Sequence, residues 1–204
     1  MDVDLQNLGK RFNREQIFSG LNYKLKSSNF YAIIGPNGSG KSTLLQIIAG
    51  NQLASAGKVV YQNNNATIPA EDFYQHISFA SPYLELVEEF TLLEQLTFHF
   101  KYKPLKKGET LESVLSKAYL TEHRNKVIKH FSSGMKQRLK LALVFFAETP
   151  VLLMDEPTSN LDEKGIHWYL EQCKQLQDQL VVIASNQKRE YDFCDEQINI
   201  NDFK

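Results

Sequence analysis

One stretch of the sequence decides the fold, and it reads Gly35-Pro36-Asn37-Gly38-Ser39-Gly40-Lys41-Ser42-Thr43. Its pattern, G-x-x-x-x-G-K-[ST], is that of a loop that binds phosphate, and it follows the apolar run Phe30 to Ile34, which is typical of a buried strand. Glycine allows the backbone to turn successive N–H groups toward one anion, and the N-terminus of a helix attracts negative charge. The sequence therefore predicts a strand, a phosphate-binding loop and a helix in this order.

Two side chains at the end of this loop indicate which ligand it holds. Lys41 is expected to reach the β- and γ-phosphates of a nucleotide, and the hydroxyl of Ser42 is expected to bind Mg²⁺. A plain glycine-rich turn between a strand and a helix is the alternative, but such a turn does not require Lys-Ser after its last glycine. We therefore predict that the nine residues from Gly35 to Thr43 bind the phosphates of a nucleotide.

A second apolar run, Val151 to Met154, ends in two acids, Asp155 and Glu156. Ligands of open α/β sheets bind where the strands reach their carboxyl ends. Asp155 is suited to hold Mg²⁺ through its water shell, and Glu156 can orient an attacking water and accept its proton. Taken alone, the run is equally compatible with a plain strand followed by a solvated turn, without any catalytic role. Together with the phosphate loop, it predicts the catalytic end of a nucleotide site.

The rest of the chain alternates between strand-like and helical patterns. Further strand-like runs lie at Ile77 to Ala80 and Leu180 to Ala184. In the middle, Thr91 and Glu94 have the spacing of a capping box at the start of a helix, and a second amphipathic pattern runs from Leu111 to about Tyr119. We predict one α/β domain over residues 1–204, with an inserted helical subdomain at about 82–145.

Length and charge restrict the classes of function. With 204 residues the chain suits one well-buried domain, and its net charge of −1 provides no broad attraction for nucleic acid, so no nucleic-acid partner is expected. Its longest apolar stretches, Leu139 to Ala147 and Val151 to Met154, are far shorter than the roughly 20 residues of a membrane span. The first residues lack the pattern of a secretory signal. We therefore expect a cytoplasmic chain.

The segment His130 to Arg138, which reads HFSSGMKQR, resembles the signature segment of ABC ATPases, and Ser159 to Asp162 resembles their D-loop. A plain capped helix that begins at Ser132 is the alternative. The order of phosphate loop, helical insertion, signature, acidic strand end and D-loop is similar to that family over nearly the whole chain. The resemblance implies a P-loop NTPase core with a mixed sheet flanked by helices, an N-terminal antiparallel β portion and a small helical subdomain.

The same resemblance implies the ligands and the assembly. ATP and Mg²⁺ are the cofactors. Phe12 matches the aromatic residue that stacks on adenine, although a phenylalanine taken by itself is more often a core residue. Two such cassettes close head to tail, so that Ser132 and Gly134 of one complete the ATP site of the other. The implied partner is a second cassette, in a homodimer or a heterodimer.

Three positions depart from the pattern of the family. Met135 stands where many relatives have glutamine in the signature, and Ser81 stands at the usual glutamine of the Q-loop. Asn186, after the strand-like run, occupies the place of the switch histidine. An amide can donate a hydrogen bond to phosphate but cannot carry the charge of a protonated histidine. We therefore expect Asn186 to act in catalysis beside Lys41 and Glu156, but with slow hydrolysis.

Three classes of function remain open at this stage. The first is a subunit that couples ATP-driven closure to a separate membrane-embedded transporter subunit, on the cytoplasmic face of the membrane. The resemblance places the docking surface for that partner at Ser81 to about Phe100, although these apolar residues are equally compatible with a subdomain core. The second is a soluble ABC ATPase unrelated to transport, and the third is an ATP-binding regulatory subunit with slow turnover.

Overall fold

The strands form two β-sheets. The structure, a computed structural model, describes residues 1–64 and 66–204. The first sheet is antiparallel with the order β2-β1-β4-β5, and the second sheet has the order β6-β7-β8-β3-β9. Asn65, the last residue of the polar run Gln62 to Asn65, lies outside the described residues. The strands are β1 (Asp2–Phe12), β2 (Glu15–Leu25), β3 (Phe30–Ile34), β4 (Ala56–Asn63), β5 (Ala66–Ile68), β6 (Ile77–Ala80), β7 (Val151–Asp155), β8 (Leu180–Ala184) and β9 (Glu196–Asn199).

The second sheet fixes the position of the site. Strands β7, β8, β3 and β9 run parallel, with Asp155 opposite Ala184 and Ala184 opposite Ile33. The carboxyl ends of β7, β8 and β3 therefore meet at one edge of the sheet, and the three loops that follow these strands lie side by side. Strands β7 and β8 are buried at every residue, which explains why both are continuous apolar runs rather than alternating ones.

The chain divides into two compact units. The phosphate-loop unit comprises Met1–Phe79, Pro150–Glu156 and Gln177–Lys204, and the helical unit comprises Ala80–Thr149 and Pro157–Leu176. The core of the phosphate-loop unit joins apolar residues of both sheets to α1 (Lys41–Ile48), which contributes Leu44, Leu45, Ile47 and Ile48. Helix α1 is thereby held against the sheet that carries the site.

The helical unit is built from helices with explicit start signals. Thr91 caps α2 (Leu92–Tyr102) in a reciprocal capping box with Glu94, as the spacing predicted, and Thr110 forms the same motif with Ser113 at α3 (Leu111–Lys117). The other long helices of the unit are α4 (Ser133–Phe145) and α5 (Glu163–Lys174). Short 3₁₀ turns lie at Thr121–His123 and Ile128–His130 in this unit. The phosphate-loop unit has such turns at Phe73–His76, Lys188–Glu190 and Ile200–Phe203.

The helical unit is larger than the insertion predicted at about 82–145. It also contains α5, which the chain reaches only after it has returned to the phosphate-loop unit to form β7. None of the helices in the described part of the chain has the length and the hydrophobicity that a membrane crossing requires.

Candidate functional site

The phosphate loop connects β3 to α1, and its glycines are required by its geometry. Gly40 has φ of 107°, a left-handed conformation that residues with a side chain rarely adopt. A Cβ atom at this position would lie 2.4 Å from Cγ2 of Ile17. Both the backbone angle and the lack of space therefore restrict position 40 to glycine, and helix α1 begins directly after it.

Lys41 lies over the loop that precedes it. Its ammonium group donates to the carbonyl oxygens of Gly35 and Pro36, at 3.0 Å in each case, and the side chain is buried. In the same loop, the hydroxyl oxygen of Ser39 is buried and has no hydrogen-bond partner among the described residues. An ammonium, an unsatisfied hydroxyl and a helix N-terminus at one place fit an anionic ligand with several oxygen atoms.

The metal residues predicted from the sequence lie together. The Ser42 hydroxyl donates to Oδ1 of Asp155 at 3.0 Å, although the two residues are 113 positions apart. A hydroxyl and a carboxylate are hard oxygen ligands of the kind that Mg²⁺ prefers, and Mg²⁺ takes few protein ligands when phosphate oxygens complete its shell. The described residues contain no cluster of three or more His, Cys, Asp and Glu side chains that could hold a metal. Ser42 and Asp155 therefore fit a magnesium ion shared with a nucleotide.

Glu156 adopts an unusual backbone conformation. Its φ is 42°, and its N–H donates to the carbonyl oxygen of Ala184 at 2.9 Å, so the chain turns sharply after β7 while it remains bonded to β8. For a residue other than glycine, such an angle costs about 1–3 kcal/mol of conformational free energy, and strain of this kind is concentrated at functional sites. Glu156 is partly exposed, whereas the adjacent Asp155 is buried.

Asn186 follows β8 and bonds to the phosphate loop. Its side-chain amide Nδ2 donates to Oδ1 of Asn37 at 2.7 Å, and both residues are exposed. The sequence identified both residues as site candidates but did not predict their contact. Lys41, Ser42, Asp155, Glu156 and Asn186 thus all lie in the phosphate-loop unit, at the carboxyl ends of neighbouring strands.

Phe12 lies at the end of β1 in the same unit. It is 44% exposed, and the ammonium of Lys10 lies 4.7 Å from the centre of its ring. The exposure excludes the alternative that Phe12 is a core residue. Its contact with adenine remains a prediction.

The signature residues belong to the helical unit. The Ser132 hydroxyl caps α4 by accepting from the N–H of Met135 at 3.2 Å, so the alternative of a capped helix is present as well. A Cβ atom at Gly134 would lie 2.9 Å from the carbonyl oxygen of Asn160, which means that the signature and the D-loop pack backbone against backbone. A cavity of about 430 Å³ opens there, lined by residues that include Ser132, Ser133, Gly134, Met135, Asn160, Leu161 and Asp162.

A larger groove, of about 630 Å³, runs along the segment Pro82 to Glu89 of the helical unit. Lys136 and Lys140 of α4 complete its lining, and Lys136 forms an ion pair with Glu88 that lowers the pKa of this carboxyl group. Tyr83 is 80% exposed, so the alternative that the whole segment forms a subdomain core does not hold for this residue.

Sequence reasoning missed Lys140, which lies inside the apolar stretch of α4. Its ammonium donates to the carbonyl oxygens of Ser81 at 3.1 Å and Pro82 at 2.7 Å, and burial lowers its pKa. Ser81 is itself buried, and its hydroxyl accepts from the N–H of Tyr83 at 3.3 Å. A lysine in an otherwise apolar helix pattern is the signal that could have revealed this contact.

A phosphate loop between a strand and a helix, beside a hydroxyl–carboxylate pair on the neighbouring strand ends, defines a P-loop nucleotide-binding domain. Residues 18–159 match the ABC transporter family. The chain belongs to this family, as the signature segment predicted. The predicted P-loop NTPase core, with a mixed sheet flanked by helices and an N-terminal antiparallel β portion, is confirmed.

Among curated proteins, the chain is 28% identical to an uncharacterised ABC transporter ATP-binding protein, YybJ of Bacillus subtilis, over 98% of this chain and 92% of that protein. It is 30% identical to the linearmycin resistance ATP-binding protein LnrL of Bacillus subtilis, over 98% of this chain and 66% of that protein. The identity to the spermidine/putrescine import ATP-binding protein PotA of Thermotoga maritima is 32%, over 88% of this chain. The chain matches only 49% of PotA.

Solved structures agree on the fold. The dimeric structure of the bacterial ABC transporter cassette MJ0796 has a TM-score of 0.80 and 26% identity, over 97% of this chain and 94% of that chain. A structure of the same cassette with ADP and phosphate, in a post-hydrolysis state, matches with 25% identity and a TM-score of 0.80. An ATP-binding subunit of an ABC transporter has a TM-score of 0.86 at 23% identity, which supports the fold alone.

Proposed function

We propose that this chain binds and hydrolyses ATP as one of two cassettes that close head to tail, and that this closure drives a separate membrane-embedded transport subunit. The observation that carries the proposal is the hydrogen bond between Ser42 and Asp155 beside the ammonium of Lys41. This arrangement provides a cation for the phosphates of a nucleoside triphosphate and oxygen ligands for its metal. Relatives in sequence are ATP-binding proteins of transporters.

In this proposal Ser42 and Asp155 hold Mg²⁺. When bound, the ion neutralises charge on the phosphate oxygens. Lys41 leaves the carbonyl oxygens of its own loop to reach the β- and γ-phosphates, and the N–H groups of the loop and of α1 bind the remaining oxygens. Phe12, which is exposed, stacks on the adenine ring.

Glu156 orients the attacking water and accepts its proton. The chain turns at Glu156 with φ of 42°, and the hydrogen bond from its N–H to the carbonyl oxygen of Ala184 holds the backbone at the end of β7. A fixed base near the position of the water contributes by orientation and by proton transfer. Asn186 supplies an amide donor at the same sheet edge, where the γ-phosphate of the nucleotide would lie.

A second cassette supplies the remaining ligands. The Ser132 hydroxyl uses a lone pair to cap α4, but its hydrogen remains available for a phosphate oxygen, and the N-terminus of this 13-residue helix attracts an anion. Ser132 and Ser133 are exposed and line the cavity of about 430 Å³, so a partner can reach this end of the helix. The second cassette is a copy of this chain or a homologue.

The groove at Pro82 to Glu89 is the proposed docking surface for the membrane subunit. It combines exposed apolar side chains, such as Tyr83 and Val87, with the carboxylates of Glu85, Glu88 and Glu89. A stable protein contact needs such a mixture of apolar contact and polar rim. This arrangement implies a position on the cytoplasmic face of a membrane, held there by the partner.

A second candidate function, an ATP-binding regulatory subunit with slow turnover, is favoured by two positions. Asn186 is neutral where the family pattern has histidine. Ser81, at the usual glutamine of that pattern, is buried, and its hydroxyl accepts from the N–H of Tyr83. Both positions thus have a smaller, neutral polar side chain than the family pattern, while Lys41, Ser42, Asp155 and Glu156 remain. We infer that hydrolysis is slow in this chain.

Phosphate release by the purified protein tests hydrolysis, with Mg-ATP against ATP in the presence of EDTA. We expect magnesium-dependent release that is absent in Glu156→Gln. Light scattering of Glu156→Gln tests the dimer, since Mg-ATP should convert monomer to dimer. Purification of the tagged chain from detergent-solubilised membranes tests the partner, because a polytopic membrane protein should co-purify. Binding of ATP without release would favour the regulatory function, and a purely soluble set of partners would exclude transport.

A further inference from the structure

The loop that presents Asn186 is closed by short backbone bonds. This switch loop, Ser185 to Glu190, leaves β8 where the N–H of Ser185 donates to the carbonyl oxygen of Ile33 at 3.1 Å. At its other end, the N–H of Glu190 donates to the carbonyl oxygen of Gln187 at 2.9 Å, within the 3₁₀ turn Lys188–Glu190. The loop is therefore a compact turn anchored to β3.

A buried polar pair lies beneath this turn. Ser185 and Glu190 are both 0% exposed, and the Ser185 hydroxyl donates to Oε2 of Glu190. The same hydroxyl oxygen accepts from the N–H of Gln187 at 2.9 Å. Burial of a carboxylate costs free energy unless it is hydrogen-bonded, and an apolar side chain would fill the same space without that cost. A specific task for the carboxylate would account for its presence.

The task follows from what the pair holds. Asn186 lies directly after Ser185, and its exposed side chain donates to Oδ1 of Asn37 in the phosphate loop at 2.7 Å. Ser185 is fixed at its N–H and at its hydroxyl, and Gln187 is fixed at its N–H and its carbonyl oxygen. The backbone on both sides of Asn186 is thereby immobilised, which lowers the entropy cost of directing an exposed amide at one acceptor.

We propose that Glu190 is a positioning residue of the ATP site, which acts through Ser185 to aim the Asn186 amide at Asn37 and the adjoining phosphate loop. The inference rests on the proposed function, because the direction of Asn186 affects turnover only if the chain hydrolyses ATP. It assigns Glu190 no contact with the nucleotide. Lys41 and Ser42 hold the phosphates independently, so the loss of positioning should lower kcat and leave KM for ATP nearly unchanged.

Kinetics of Ser185 variants test the effect on turnover. Ser185→Ala removes the hydroxyl and should lower kcat by about tenfold, with KM for ATP within about twofold. Ser185→Thr retains the hydroxyl and should recover most of the loss. In an Asn186→Ala background, Ser185→Ala should have no further effect on kcat, because the residue through which it acts is gone. An equal loss of kcat in both backgrounds would mean that the pair only stabilises the fold, and would overturn the proposal.

A nuclear magnetic resonance readout tests the positioning without any turnover. The side-chain amide signals of Asn186 are identified in a ¹⁵N-labelled sample by their loss in Asn186→Ala. They should shift in Asn37→Ala and in Glu190→Ala or Ser185→Ala, and return toward the wild-type position in Ser185→Thr. Unchanged signals in Ser185→Ala would refute the positioning role, whatever the ATPase rate. The expected shifts in a protein without ATPase activity would support the positioning and refute the proposed hydrolysis instead.

Discussion

The two compact units differ in the kind of site that each contains. In the phosphate-loop unit, Lys41, Ser42 and Asn186 are each held by a hydrogen bond to another part of the same unit. In the helical unit, the groove along Pro82 to Glu89 and the cavity beside Ser132 are concave surfaces lined in part by exposed residues. One unit thus carries preorganised chemistry, and the other carries surfaces that a partner would complete. Substitutions in the two units should therefore change different measured quantities.

The largest effect is expected for Glu156→Gln in the phosphate-loop unit. The amide keeps the size of the side chain but cannot accept a proton, so kcat should fall by about 10²- to 10⁴-fold while the affinity for Mg-ATP stays within about threefold. Phosphate release and fluorescent-nucleotide binding measure the two quantities. Full turnover in this variant would remove Glu156 from its proposed role.

Lys41→Ala should act on binding instead. Removal of the ammonium takes a charge-assisted contact from the phosphates, and we expect the dissociation constant for ATP to rise by about ten- to a hundredfold. Titration with a fluorescent ATP analogue checks this result. Lys107→Ala is the matched control, because Lys107 is an exposed lysine in a loop of the helical unit and its removal should leave the dissociation constant unchanged. Equal affinity in wild type and Lys41→Ala would contradict the assignment.

Asn186→His combined with Ser81→Gln changes one position in each unit. The pair restores a donor that can carry charge and a longer polar side chain, so kcat should rise by about threefold to tenfold. We expect the double variant to exceed the sum of the single effects on the activation free energy, because both changes act on the same hydrolysis step. ATPase rates at saturating Mg-ATP decide the matter. A wild type that already turns over as fast as the double variant would show that hydrolysis is not slowed.

The smallest effect is expected for Thr91→Ala at the start of α2. It breaks the capping box with Glu94 and should lower the free energy of unfolding by about 1 kcal/mol, with no change in ATP affinity. Thr97→Ala in the same helix is the matched control, since Thr97 is exposed inside α2 and alanine is the better helix former there. Urea unfolding compares the two variants. Equal destabilisation by both would exclude a capping role for Thr91.

Much of the phosphate-loop unit could be predicted because its signals are local. The runs at β3, β6 and β8 match the observed strands residue for residue, and the predicted run at β7 ends one residue early, at Met154. The signal of the phosphate loop is equally local, because its glycines are required by the backbone conformation of the loop itself. Contacts between distant segments escaped prediction. Asn37 and Asn186 are 149 positions apart, and no pattern along the chain encodes their hydrogen bond.

The helical unit was harder to predict for a related reason. Its boundary depends on which surfaces pack together, so α5 joins it although β7 intervenes in the sequence. Lys140 lies inside the stretch Leu139 to Ala147, which the sequence shows only as apolar. Its ammonium bonds to carbonyl oxygens about 60 residues upstream, at Ser81 and Pro82. Periodicity predicts the helix but not the atoms that satisfy a buried charge.

The left-handed turn at Glu156 means that the residue best for stability at this position differs from the residue that the proposed activity requires. Glycine or asparagine adopts such an angle more easily than glutamate, so either replacement should relieve strain and strengthen the fold. A laboratory evolution experiment that rewards heat resistance alone would therefore drift toward a stable cassette that has lost its base. In the proposed function, selection for turnover would keep glutamate at position 156 in spite of this backbone strain.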